Sequence, residues 1–138
     1  MTERPFALRR LVAVGAVLRD AGRVLLVRRA NPPSRGLWAV PGGRVESDET
    51  LEAAVRREVL EETGLRVRVT GLLGVAERPD PAAGVRWIIV EFAVAAEDLT
   101  TLRAGDDAAE AAWFDEAALG SEAEVVRGVA AFLRDHPA

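Results

Sequence analysis

PGGRVESDETLEAAVRREVLEETGL, residues 41–65, is a glycine turn, a helix and a glycine stop in succession. Pro41-Gly42-Gly43 breaks any preceding strand. Thr50 suits a helix N-cap, Glu52 puts an acid in the first turn, and Gly64 supplies a residue that accepts positive φ just past the end. These signals predict a helix over Leu51 to Thr63. With about 100° per residue from Leu51, Val55 falls near 40°, Ala54 near 300°, Glu58 near 340° and Glu62 near 20°. Two glutamates therefore lie within the apolar stripe, and Glu61, at about 280°, flanks it beside Ala54.

That placement is unfavourable for a helix standing alone. Glu58 and Glu62 are a like-charged i, i+4 pair in the negative half of the helix, and burial penalises ionised carboxylates. Arg57 can pair with Glu61 at i+4, but one guanidinium does not neutralise three acids. An acidic, solvated helix end is one account of EVLEE. A bound divalent cation is the other: hard oxygen donors favour Mg²⁺ or Mn²⁺, and Mg²⁺ is commonly shared between carboxylates and substrate phosphates. The glycine pair at 42–43 is either a plain turn or a place where backbone groups approach a metal or a phosphate.

Outward from this segment the chain alternates strand and turn signals. Leu11 to Leu18 (LVAVGAVL) and Val24 to Val27, separated by Asp20-Ala21-Gly22, predict a β-hairpin. Asn31 to Gly36 is a breaker cluster, followed by an extended Leu37 to Val40. Val67 to Val75 and Trp87 to Val94 read as strands parted by the turn-rich Arg78-Pro79-Asp80-Pro81. An acidic Gly105-Asp106-Asp107 precedes a short apolar piece at Ala111 to Phe114, and Glu122 to Leu133 shows helical spacing. No repeat or linker divides the 138 residues, so one domain over 1–138 is expected.

Composition excludes several chemistries. The chain has no cysteine and a single histidine, His136, near its end, which removes thiolate sites, disulfides and His-based triads. A net charge of -4 argues against a nucleic-acid polymer as partner. The basic residues are all arginine, which a compositional bias explains as well as function does. No signal peptide or membrane-length apolar run is present, so a cytoplasmic location without a membrane partner is expected.

Gly43, Glu49 after five residues, and Arg57-Glu58-Val59-Leu60-Glu61-Glu62-Thr63-Gly64-Leu65 after seven more together resemble the complete Nudix box. The resemblance continues from Val12 through Leu37-Trp38-Ala39-Val40-Pro41-Gly42-Gly43 to Trp113-Phe114. It implies an α/β Nudix fold: an α/β/α sandwich with a mixed central sheet and a loop-helix-loop catalytic element. It implies Mg²⁺, with Mn²⁺ as a substitute, held by Glu58, Glu61, Glu62 and the Gly42 carbonyl. Arg57 would orient the acids, with Glu49 as its partner. Glu61, Glu62 and Arg57 would be catalytic, and Asp107 would be the general base, with Asp106 and Glu110 as rivals. Arg28, Arg29 and Gly43 would meet the substrate, one of the two arginines binding a phosphate while the other stays at the surface. Trp38, Trp87 and Trp113 are read as core in preference to base-stacking residues.

The implied reaction is hydrolysis of a pyrophosphate bond in a nucleoside diphosphate joined to another group, ADP-ribose or a related nucleotide sugar first. The alternatives are a nucleoside triphosphate pyrophosphohydrolase of the pool-cleansing type and a nucleotide-sensing domain without catalysis. The resemblance also allows a homodimer.

Overall fold

A computed structural model describes residues 7–105, 108–119 and 124–137, except for the side chain of Ala109. The apolar run LVAVGAVL forms the centre of β1 (Arg9–Asp20), whose residues 13 to 18 are buried on both faces, as a continuous apolar strand should be. Asp20 turns through Ala21 and Gly22, at φ 53° and 78°, into β2 (Arg23–Arg29). Two central residues of positive φ match the right-handed twist of a tight hairpin.

The hairpin holds together only at its tip. β1 and β2 pair at Arg19–Val24 and Asp20–Arg23 and then part. The chain of residues 38–44 lies between them: β3 (Trp38–Ala39) pairs with β2, and β4 (Gly42–Arg44) pairs with β1 at Ala13 to Gly15. Pro41, between the two short strands, accepts a hydrogen bond from Ala16 N at 2.8 Å. The glycine at 42 is a requirement of this contact, because a Cβ there would collide with the Val14 carbonyl.

β5 (Val67–Asp80) and β6 (Val85–Ala96) complete a mixed sheet. β6 runs parallel to β1 over Arg9 to Leu18, and β5 lies antiparallel outside it. Arg78-Pro79-Asp80, against the expected turn, continue β5 opposite Trp87, Arg86 and Val85, and the turn is Pro81–Ala83 with Gly84 at φ 70°. Pro79 is tolerated because β5 is an edge strand, whose outer N–H groups need no partner. β7 (Ala108–Asp115) pairs with β2 and extends beyond the expected 111–114.

Among the described residues, one helix packs on each face of the sheet. α1 (Leu51–Thr63) has the predicted bounds: Thr50 Oγ1 accepts from Ala53 N at 3.1 Å, and Gly64, at φ 73°, donates to Leu60 O at 2.9 Å. Its Ala54, Val55 and Val59 pack on Val14, Ala16, Leu18, Phe92 and Val94. α2 (Val129–Asp135) lays Val129 and Leu133 on Val17, Val24 and Leu26 across the sheet. It is shorter than the expected Glu122 to Leu133. Val125 bridges to Trp38, Val126 N donates to Trp38 O at 2.8 Å, and Gly128, at φ 93°, starts the helix late. Among the described residues no helix is long and apolar enough to cross a membrane.

The N-cap is testable by itself. Thr50→Ala should lower the unfolding free energy by about 1 kcal/mol, and Thr50→Gly by a few tenths, as measured by urea denaturation.

Candidate active site

α1 reaches the cleft through its acidic side. Arg57 stands at the centre and spreads its donors over three acids. Nε and Nη2 bind the two oxygens of Glu49 at 2.6 and 2.8 Å, and Nη1 reaches Glu58 at 2.9 Å and both oxygens of Glu61 at 3.3 Å. Nη2 also donates to the Arg44 carbonyl at 3.0 Å, which ties the loop after β4 to the helix. Glu49 accepts a further bond from Glu46 N at 3.0 Å. The two-pronged Arg57 bond, followed by that amide, holds the Glu49 carboxyl at about 2, and the same bond raises Arg57 above its ordinary value.

Glu62 lies deepest, 7% exposed, and its Oε2 accepts from Gly42 N at 3.3 Å. Burial pushes its carboxyl up to about 9, reinforced by a hydrogen bond shared with Glu58 and by the charge of Glu58; the Gly42 amide and Arg29 pull the other way. Like-charged carboxylates this close repel one another unless a proton or a cation relieves them. Gly43 makes room for this arrangement, since a Cβ there would lie 2.6 Å from the Glu58 carboxyl carbon.

The donor set is thus oxygen only, as hard divalent cations prefer. Glu58, Glu61, Glu62 and the Gly42 carbonyl are the candidates to hold one. Among the described residues no three acids are gathered closely enough to enclose an ion by themselves.

The cleft beside these acids has a volume of about 1010 Å³ and runs across β4, β1 and β6. Arg29 lines it, with Nε donating to Pro33 O at 2.6 Å. Arg28, the next residue on the strand, points to the other face and pairs with Glu110 at 2.7 Å, both exposed. The structure thus brings Arg29 to the acids and leaves Arg28 and Glu110 outside the cleft lining. Asp106 and Asp107 lie outside the described residues.

Trp38 packs edge-on against Phe114 at 4.8 Å, and Trp113 packs against the α1 core. Trp87 departs from the core expectation: it lines the cleft with the Arg44 guanidinium 5.6 Å above its ring. Two further cleft residues were not anticipated from the sequence, Arg78 on β5 and Glu91 on β6. Burial, followed by the like charge of Arg29, lowers Arg78, while the charge of Glu91 opposes this. Burial pushes the Glu91 carboxyl up to about 7 against the pull of Arg78. The one available signal for Glu91 was an acid inside the apolar run WIIVEFAV.

The Arg57–Glu49 pair has a definite pH signature. Glu49 in the folded state sits near 2, below its ordinary 4.5, so its stabilisation is complete above 4.5 and is lost as pH falls toward 2. The stability difference between the native chain and Glu49→Gln, followed by denaturant unfolding, should be constant from pH 8 to 6 and shrink steadily below 4.5.

Residues 9–135 match the NUDIX domain family. The chain is 45% identical over 106 residues to an ADP-ribose pyrophosphatase of Methanocaldococcus jannaschii, a match covering 75% of this chain and 61% of that protein. It is 33% identical over 108 residues to the 8-oxo-dGDP phosphatase NUDT18 of Homo sapiens, covering 78% of this chain and 33% of that one. The chain therefore spans less than two thirds of the length of these relatives. Among solved structures it resembles a MutT NUDIX hydrolase from Burkholderia pseudomallei, with a TM-score of 0.81, 28% identity, and 91% and 97% of the two chains covered. The box from Gly43 to Leu65, assembled around Arg57 on this fold, and a family match spanning nearly the whole chain lead to one conclusion: the protein belongs to the Nudix family.

Proposed function

We propose that the chain hydrolyses a pyrophosphate bond in a nucleoside diphosphate joined to another group, most suitably ADP-ribose or a related nucleotide sugar, with Mg²⁺ as cofactor and Mn²⁺ as a substitute. The observation that carries this reading is the set of acids gathered at one cleft of about 1010 Å³: Glu58 and Glu61 on the Arg57 guanidinium, and the buried Glu62 on the Gly42 amide. Like charges held together at a ligand-sized cleft are compensated by a cation and its phosphate ligand.

Glu58, Glu61 and Glu62, with the Gly42 carbonyl, hold the metal, and Arg57 keeps the acids aimed while Glu49 locks Arg57 in place. The metal, when bound, neutralises pyrophosphate charge and makes a bound water more acidic. Arg29 offers its guanidinium to a phosphate oxygen, and the backbone at Gly43 lets the substrate approach closely. The Trp87 ring, with the Arg44 guanidinium 5.6 Å above it, lines the same cleft and offers an aromatic and a cationic contact to a substrate.

The ADP-ribose preference draws on the relative that is 45% identical and carries that activity in its name. A second reading, a nucleoside di- or triphosphate hydrolase that cleanses oxidised nucleotides, draws on the human relative named an 8-oxo-dGDP phosphatase. Products separate the two. ADP-ribose cleavage yields AMP and ribose 5-phosphate, whereas a triphosphate yields a monophosphate and pyrophosphate.

Purified protein incubated with Mg²⁺ and a panel of nucleotide sugars, dinucleotides and triphosphates, with products identified by mass, should turn over ADP-ribose fastest. Glu61→Gln and Glu62→Gln should each lower turnover by about two orders of magnitude or more with an unchanged circular dichroism spectrum. No turnover of any substrate would point instead to a sensing domain, and full activity in both variants would remove these acids from the site.

A further inference from the structure

We propose that Glu91 is the general base, the carboxylate that takes the proton from the water attacking phosphorus. This rests on the pyrophosphatase reading above and adds to it a residue outside the Nudix box.

Position comes first. Glu91 pairs in register with Gly15, and Gly15 with Gly42. The three stand in a row across β6, β1 and β4, each strand about 4.8 Å from the next. Glu91 is therefore level with the residue whose amide binds Glu62. Trp87 is four residues back along β6, about 13 Å away at 3.3 Å per residue. The Glu91 side chain leans over Gly15 toward β4, occupying the space a Cβ at position 15 would need.

Partners come second. Glu91 is 5% exposed, and among the described residues no hydrogen bond or ion pair reaches its carboxylate. Glu91 lines the cleft, with its oxygens over Gly15. Among the described residues no sealed side-chain oxygen lacks a partner, so this unbonded carboxylate keeps access to the cleft and to water there. An ionised carboxylate only accepts hydrogen bonds, so it repels a phosphate but is a proper partner for a water molecule donating to it. The charge of Arg78 on β5 favours that state, while Arg29 from β2 faces Arg78 and Glu62, and Arg44 on β4 is engaged with Trp87. Glu58 and Glu62 of α1 lie across the cleft, and His136, beyond α2, caps Gly74, the β5 partner of Glu91. A carboxyl near 7 both ionises and accepts protons at neutral pH, as an effective base must.

The step balances without a further reactant. The water oxygen forms a bond to phosphorus, its proton passes to a Glu91 oxygen, and the bridging P–O bond breaks with its electron pair leaving on the departing phosphate. Proton loss from Glu91 to solvent restores the site.

The test uses the full chain with ADP-ribose and Mg²⁺, Mn²⁺ binding by electron paramagnetic resonance, and the variants Glu91→Gln, Glu91→Ala and Asp107→Asn. Glu91→Gln should lose about 10²- to 10⁴-fold in kcat with KM and Mn²⁺ affinity nearly unchanged. Its residual rate should climb steadily with pH where the native rate levels off. Glu91→Ala, which opens space beside Gly15, should recover activity on adding formate. The proposal is overturned if Glu91→Gln keeps native kcat, if it loses Mn²⁺ affinity or only KM, if formate fails to rescue a folded Glu91→Ala, or if Asp107→Asn alone abolishes turnover. A native protein that hydrolyses no pyrophosphate defeats the broader reading, whereas a native protein active beside an equally active Glu91→Gln defeats the role of Glu91 alone.

Discussion

Repulsion among carboxylates on one helix face is the constraint around which the molecule is arranged. Glu58, Glu61 and Glu62 stand within one turn of each other at the negative end of α1. Arg57 gathers two of them and is itself held by Glu49 and the Arg44 carbonyl. The remaining conflict, between Glu58 and Glu62, is left inside the cleft. Stability gains nothing from that choice; the site gains a place that a cation relieves.

The rest of the fold supplies the platform. Because β1 and β2 separate beyond their shared turn, the 38–44 segment can lie between them and present Gly42 and Gly43 to the helix acids. The glycines allow two close approaches, Gly42 to the Val14 carbonyl and Gly43 to Glu58. Apolar cores on both faces of the sheet hold this geometry from above and below, one under α1 and the other under α2.

Local chemistry made much of this legible before any coordinates. Thr50 and Gly64 delimit α1 because cap signals depend on neighbours within a turn, and the inward tilt of Glu58 and Glu62 follows from helical spacing. What escaped depends on pairing between distant strands. Arg78 looked like part of a turn because Pro79 and Pro81 flank Asp80, and only its place opposite Trp87 shows it in the cleft. Glu91 was invisible for the same reason: its register with Gly15 is a tertiary fact. Arg28 and Arg29 could not be told apart until the face of β2 was known. The C-terminal helix was overextended because Val125 and Val126 fit helical spacing yet serve as an extended edge beside Trp38.

Gly15 and Glu91 share a single volume, contributed by adjacent strands but large enough for only one side chain. The two positions are therefore not free to vary independently. Any residue larger than glycine at 15 must evict the acid from β6, and a chain that shortened Glu91 would leave a hollow that β1 alone could refill. Drift in this corner of the protein would have to proceed as a paired exchange between strands.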